Sequence, residues 1–181
     1  MDTIWPKKND CLFKSGGYQS LAACILPTDI SLVAVGYKDA ADALIAGLAE
    51  HGRNDALIFP IVFCYRQYME LQLKAITALV ENFEETGDEF EKTHDLKKLW
   101  SSLKPRLEAE IDQQEQGALA VVEDCILQFH DFDPKGETFR YPQPVKMHQL
   151  DLGNLKSVMK RVSTFLEALV DQWEAGVGDK F

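Results

Sequence analysis

From residue 33 onward, apolar residues return at steps of three and four, the period of one helix face, and alternating strand-like runs are nearly absent. Val33, Tyr37, Ala40, Leu44 and Leu48 mark a first helix, with Thr28 or Asp29 as its cap and Gly52 after its end. Ile58, Val62, Tyr65, Met69, Leu73, Ile76, Val80 and Phe83 mark a second and longest helix, about Ala56 to Phe83. Pro60 falls in its first turn, where a missing amide donor costs little. A third helix is capped by Thr93, turns Leu96, Leu99, Trp100 and Leu103 inward, and is ended or kinked at Pro105. A fourth runs from about Gln114 to His130, with Leu119, Val122, Ile126 and Phe129 as its stripe. A fifth starts from a cap at Asp151, where Leu150 can staple onto Leu155, and carries its stripe through Val158, Val162, Phe165 and Leu169 to Trp173. The pattern predicts an all-α fold, an antiparallel helical bundle of about five main helices over residues 28–176. Residues 1–27 have no sustained period, broken by Gly16-Gly17 and Pro27, and read as an irregular N-terminal extension with a short helix around Leu21 to Leu26.

Composition narrows the class without changing the fold. At 181 residues, with 46% hydrophobic and 27% charged positions, the chain suits one soluble domain with a sizeable core. No apolar run is long enough to span a membrane, and Met1–Lys8 is not followed by the apolar stretch of a secretory signal. A net charge of −10 rules out gripping a duplex by bulk charge, so nucleic acid would have to meet a local basic cluster or a groove built by assembly. Cys11, Cys24, Cys64 and Cys125 are scattered, which argues against a zinc site or a disulfide framework and fits a reducing cytoplasm. Cys64 and Cys125 fall within apolar patterns and read as small buried hydrophobes. No phosphate-binding glycine loop, nucleophile elbow or His-Glu-x-x-His helix occurs, and neither metal nor cofactor is expected.

Three places concentrate chemistry. The segment Asp131–Pro142 joins two helical patterns and packs Arg140 and Tyr141 beside Asp131 and Asp133. Asp133-Pro134 and Gly136 suit a turn that Arg140 pins down, yet such a set of side chains can also bind an anion. Arg66, Glu70 and Lys74 stand at successive i, i+4 steps on the apolar second helix. They make either a salt-bridge ladder or a pocket floor in which Arg66 and Arg140 hold one anionic ligand together. His94 follows Thr93 at a helix start and can serve as acid or base near neutral pH. His51, His130 and His148 carry less weight, though His148 is near the loop in sequence.

The order Tyr65-Arg-Gln-Tyr-Met-Glu-Leu-Gln-Leu-Lys-Ala-Ile76, then Thr93-His-Asp-Leu-Lys-Lys-Leu-Trp100, then Phe132-Asp-Pro-Lys-Gly-Glu-Thr-Phe-Arg-Tyr-Pro142 resembles the HEPN (higher eukaryotes and prokaryotes nucleotide-binding) superfamily. It is most similar to the small bacterial members found among abortive-infection and other phage-defence proteins, and the likeness spans roughly Ile30 to Trp173. The resemblance implies a helical bundle, usually a homodimer, that binds RNA or a nucleotide and in many members cleaves RNA without a metal. A toxin–antitoxin or defence setting also implies a partner protein from the same operon. The family's ribonuclease signature places four to six residues between Arg, or another polar residue, and His. Here Arg140 and His148 come closest, but seven residues separate them, two of them prolines. By that resemblance Arg140 stabilises the charged phosphorane, and His148 or His94 takes the 2′-hydroxyl proton. The residues themselves make Arg66, Glu70, Asp133 and Tyr141 the candidates for binding the ligand.

Two functions follow as expectations. One is a HEPN-like RNA- or nucleotide-binding dimer, with metal-independent endoribonuclease activity if the atypical spacing still assembles Arg and His. The other is a non-catalytic helical module that scaffolds a partner, favoured by the acidic charge and the loose Arg–His spacing. The first predicts that Arg66, Glu70, His94, Arg140 and Tyr141 converge. The homodimer is also expected from aromatic residues off the main stripe of the second helix, Phe59, Phe63 and Tyr68.

Overall fold

The computed structural model describes residues 29–51, 55–84, 93–111, 116–140 and 149–178. They form five α-helices: α1 (Ile30–His51), α2 (Ile58–Glu84), α3 (Leu96–Glu110), α4 (Gln116–Phe132) and α5 (Leu152–Gly178). A one-turn 3-10 segment, Asp55–Leu57, leads into α2. No strand occurs among the described residues. The fold is an all-α helical bundle. The extension at 1–27, the glycine at 52, Tyr141 and His148 lie outside the described residues. The predicted start of α4 at Gln114 lies outside them too; from Gln116 the helix is in place.

The bundle is organised around α2, which packs against α1, α3 and α5, while α3 pairs with α4. A helix enclosed by three others must be covered all round, and the buried run from Ile61 to Ile76 includes Tyr65, Tyr68, Met69 and Leu73 on different faces. The α1 face is turned from the expected one. Val33 is 47% exposed and Ala40 is also exposed, and the buried positions are Ala34 and Ala41. Two alanines one heptad apart let α1 approach α2 closely, and Tyr37, Leu44 and Leu48 flank the contact. Tyr65 ties the same interface by donating to Asp42 Oδ1 at 2.6 Å.

Helix ends follow side-chain caps. Asp29 accepts from the Leu32 amide at 3.0 Å, and Asp151 accepts from Asn154 at 2.9 Å. The cap of α3 is Asp95, which accepts from Lys98 N at 3.1 Å, and not Thr93. Thr93 accepts instead from the Asp95 amide at 3.1 Å and so shapes the turn before the cap. Pro105 does not end α3, which continues to Glu110. Pro105 and Ser101, whose carbonyl it leaves without an amide, are both exposed, so water can satisfy that carbonyl.

Of the off-stripe aromatics, Tyr68 is fully buried within one chain and donates to Glu167 at 3.4 Å. Phe63 meets Tyr37 edge-on at 6.4 Å. Phe59 stays 38% exposed. No helix among the described residues is long and apolar enough to cross a membrane. Cys125 is buried and Cys64 half-buried; burial raises both thiols above their ordinary range, as suits packing residues rather than nucleophiles.

Candidate functional site

Where α3 begins and α4 ends, both meet the flank of α2 that carries Arg66, Glu70 and Lys74. The i, i+4 spacing sets Glu70 between two cations. Its Oε2 accepts from Arg66 Nη1 at 2.9 Å and its Oε1 from Lys74 Nζ at 2.8 Å. Arg66 and Glu70 are each 1% exposed, so the charges are held by one another and by hydrogen bonds rather than by water.

Two other elements complete the network. The turn fixed by Thr93 and Asp95 aims the His94 carbonyl at Arg66 Nη2, 2.7 Å away, and the His94 Nδ1 at Glu70 Oε1, 2.8 Å away. On the other side, Asp133 is the first residue after α4. Its carbonyl oxygen accepts from Arg66 Nε at 3.3 Å, and its Oδ2 makes an ion-pair contact with the same Nε at 3.3 Å. Asp133 Oδ1 accepts from the amides of Glu137 at 2.7 Å and Thr138 at 3.0 Å, which folds the following loop back on itself. One guanidinium thus ties three segments together.

Electrostatically the cluster is balanced, with Arg66 and Lys74 against Glu70 and Asp133. Burial alone pushes the Glu70 carboxyl up, but the hydrogen bonds from Lys74, His94 and Arg66 outweigh it and hold Glu70 below the usual carboxylate range. Glu70 is therefore an acceptor only, and a neutral His94 must carry its proton on Nδ1. Its Nε2 then holds the lone pair. The His94 side chain is 70% exposed although its partner Glu70 is buried. The arrangement is an oriented imidazole, anchored from below by a fixed carboxylate and open to solvent above, the relation that prepares a histidine for proton transfer.

The loop after Asp133 closes over Arg66. Gly136 has φ of +73°, and a Cβ there would sit 3.0 Å from Arg66 Nη1, so only glycine fits without displacing the guanidinium. Phe132 and Phe139 stack at 5.8 Å and hold the loop shut. Arg140 is exposed, and its Nε donates to the Gly136 carbonyl at 2.6 Å. A single glycine separates the Arg66 and Arg140 guanidiniums, about 10 Å or less by covalent reach.

Arg66, Glu70, His94 and Asp133 thus converge, and Arg140 lies on the loop that covers them. Tyr141 and His148 lie outside the described residues. Arg66 serves the chain's own acceptors at Glu70, His94 and Asp133. A ligand shared between Arg66 and Arg140 would have to displace one of them. His130, of lesser weight on sequence grounds, brings its buried Nδ1 to 3.2 Å from Asp95 Oδ1 without a hydrogen bond between them. Its signal was its place four residues after Ile126, on the extension of the α4 apolar stripe. No group of three or more His, Cys, Asp or Glu that could hold a metal ion occurs among the described residues.

Compared with protein-family models, with curated proteins and with solved structures, the chain matches none.

Proposed function

We propose that the chain is a HEPN-like RNA- or nucleotide-binding protein of a bacterial defence or toxin–antitoxin system, acting as a metal-independent endoribonuclease. The observation that carries this reading is the exposed His94 ring with its Nδ1 2.8 Å from buried Glu70. A histidine whose role ended at the helix start would not need an internal carboxylate to set its tautomer while its other nitrogen is open. In this reading His94 takes the 2′-hydroxyl proton and Arg140 stabilises the phosphorane charge. Arg66, Glu70, Lys74 and Asp133 position these two without touching RNA. A homodimer would bring two such sites together and supply the groove that an acidic monomer lacks.

The test is cleavage of a mixed single-stranded RNA by the full chain. Cutting is expected to persist in EDTA and to fall by about 10²-fold or more in His94→Ala and in Arg140→Ala. His148→Ala is the comparison: loss there with His94→Ala unchanged would move the base to His148. Light scattering reports the dimer, and a monomer mass at tens of micromolar protein would count against it. The enclosure of Arg66 by its own chain supports a second reading, a non-catalytic scaffold whose buried network only fixes the fold. RNA bound but never cut, with affinity unchanged by all three substitutions, would favour the scaffold.

A further inference from the structure

The His94 ring is arranged as a nucleophile as well as a base. With Nδ1 donating to Glu70 Oε1 at 2.8 Å, the lone pair lies on Nε2, and the side chain is 70% exposed. That nitrogen needs no further deprotonation to attack an electrophile. The carboxylate behind the ring does not repel an incoming anion as a bare one would. Its Oε1 also accepts from Lys74 Nζ at 2.8 Å and its Oε2 from Arg66 Nη1 at 2.9 Å, and all three side chains are buried together.

The two segments beside the ring carry more exposed cations than acids. Lys97 and Lys98 on the first turn of α3, and Lys135 and Arg140 on the loop that covers Arg66, stand against Asp95 and Glu137. Asp95 is already engaged, because its Oδ1 caps α3 through Lys98 N at 3.1 Å. The start of α3 adds the positive end of its dipole. His130 has none of this: its side chain is 17% exposed, and its Nδ1 is buried without a hydrogen bond.

We propose that His94 Nε2 is a phosphoryl acceptor, a modification site loaded by an activated phosphoryl donor of the phosphoramidate or acyl phosphate class. His94 would accept the group whether or not the protein cuts RNA. In the step, the Nε2 lone pair bonds to phosphorus. With phosphoramidate as donor, the P–N bond breaks and its electron pair leaves with the already protonated amine as ammonia, so nothing is oxidised or reduced. The ring becomes cationic while its Nδ1 hydrogen stays on Glu70, and the carboxylate stabilises that charge as it forms. The phosphoryl group, with its negative charge, then meets the cations of the α3 turn and of the loop.

The test incubates the full chain with potassium phosphoramidate at neutral pH, with no RNA present. Intact mass counts the groups added, and phosphorus NMR tells Nε2-linked from Nδ1-linked phosphohistidine. The folded chain is expected to gain one phosphoryl group, on Nε2, at least about tenfold faster than any histidine of the same chain unfolded in urea. His94→Ala is expected to remove it. His94→Asn keeps a donor for Glu70 and should read the same if the alanine variant folds poorly, and fragmentation of labelled wild-type peptides locates the group without either variant. Labelling no faster than in urea, labelling on Nδ1, or a group located on another residue would overturn the proposal. Each of those results would leave the ribonuclease reading standing, and a chain that is labelled on His94 but never cuts RNA would remove that reading alone.

Discussion

Glu70→Gln isolates what the buried network contributes to stability. Glutamine keeps the size of the side chain and an acceptor oxygen, so the change removes charge more than shape. In its absence Arg66 and Lys74 lose the carboxylate that they contact at 2.9 and 2.8 Å. Removing one partner of a buried ion pair costs roughly 3–5 kcal/mol, because the other charge stays behind without compensation. Arg66 keeps Asp133 at 3.3 Å, which places the expected loss at the lower end, about 3 kcal/mol. For a chain of this length that corresponds to a fall in Tm on the order of 10 °C. Urea unfolding followed by far-UV circular dichroism reads the loss as a lower midpoint at constant m.

The decisive comparison is a double-mutant cycle with Arg66→Met. If Glu70 and Arg66 hold each other, the double variant should be more stable than the sum of the single losses predicts by at least about 1 kcal/mol. Additivity within about 0.5 kcal/mol would show that the pair is not coupled and that Glu70 does not hold Arg66 in place. A pH series adds a signed check. The folded Glu70 carboxyl lies below its ordinary value of 4.5, so its stabilisation is fully present above that pH and is lost as pH falls through the lower folded value. The gap between wild type and Glu70→Gln should therefore be open near neutrality and narrow below about pH 4.5. A gap that widened on acidification would reverse the sign of the reasoning.

Two further substitutions test the local geometry. Pro105→Ala should raise stability by about 1–2 kcal/mol in thermal melts, because the restored amide outweighs the freedom gained by the unfolded chain; a lower Tm would mean that proline contributes packing here. Gly136→Ala should cost at least about 1–2 kcal/mol, from the left-handed backbone and the 3.0 Å approach to Arg66 Nη1, and a neutral result would show that the loop does not rest on that guanidinium.

What the chain reveals without its structure depends on whether the signal is local. Helical period exposed all five helices, since each buries one face or, for α2, nearly all of it. The Asp29 and Asp151 caps were legible because the bonded amide is three residues away. At α3 the same rule met two good capping residues two positions apart, and the hydrogen bond to Lys98 decided for Asp95. Val33 was misassigned because a five-residue stripe of period 3.6 fits two neighbouring faces, and the small Ala34 and Ala41 win through close approach rather than hydrophobicity. Pro105 disturbs a helix least where its orphaned carbonyl faces water, and the inward stripe of Leu96, Leu99, Trp100 and Leu103 leaves Ser101 and Pro105 on the outer face.

The candidate site divides along the same line. Arg66, Glu70 and Lys74 could be paired from their spacing alone. The contact of His94 with Glu70 spans 24 positions and that of Arg66 with Asp133 spans 67, so no window of sequence contains either. These long contacts set the chemistry apart from the packing. A ladder confined to α2 would stabilise one helix by a few tenths of a kcal/mol per pair. The same three side chains, joined to the start of α3 and the end of α4, instead fix an exposed imidazole against a buried carboxylate. A network that only stabilised the bundle could end at Glu70, with its ions enclosed; this one continues to a ring at the surface, and His94 is where it meets solvent.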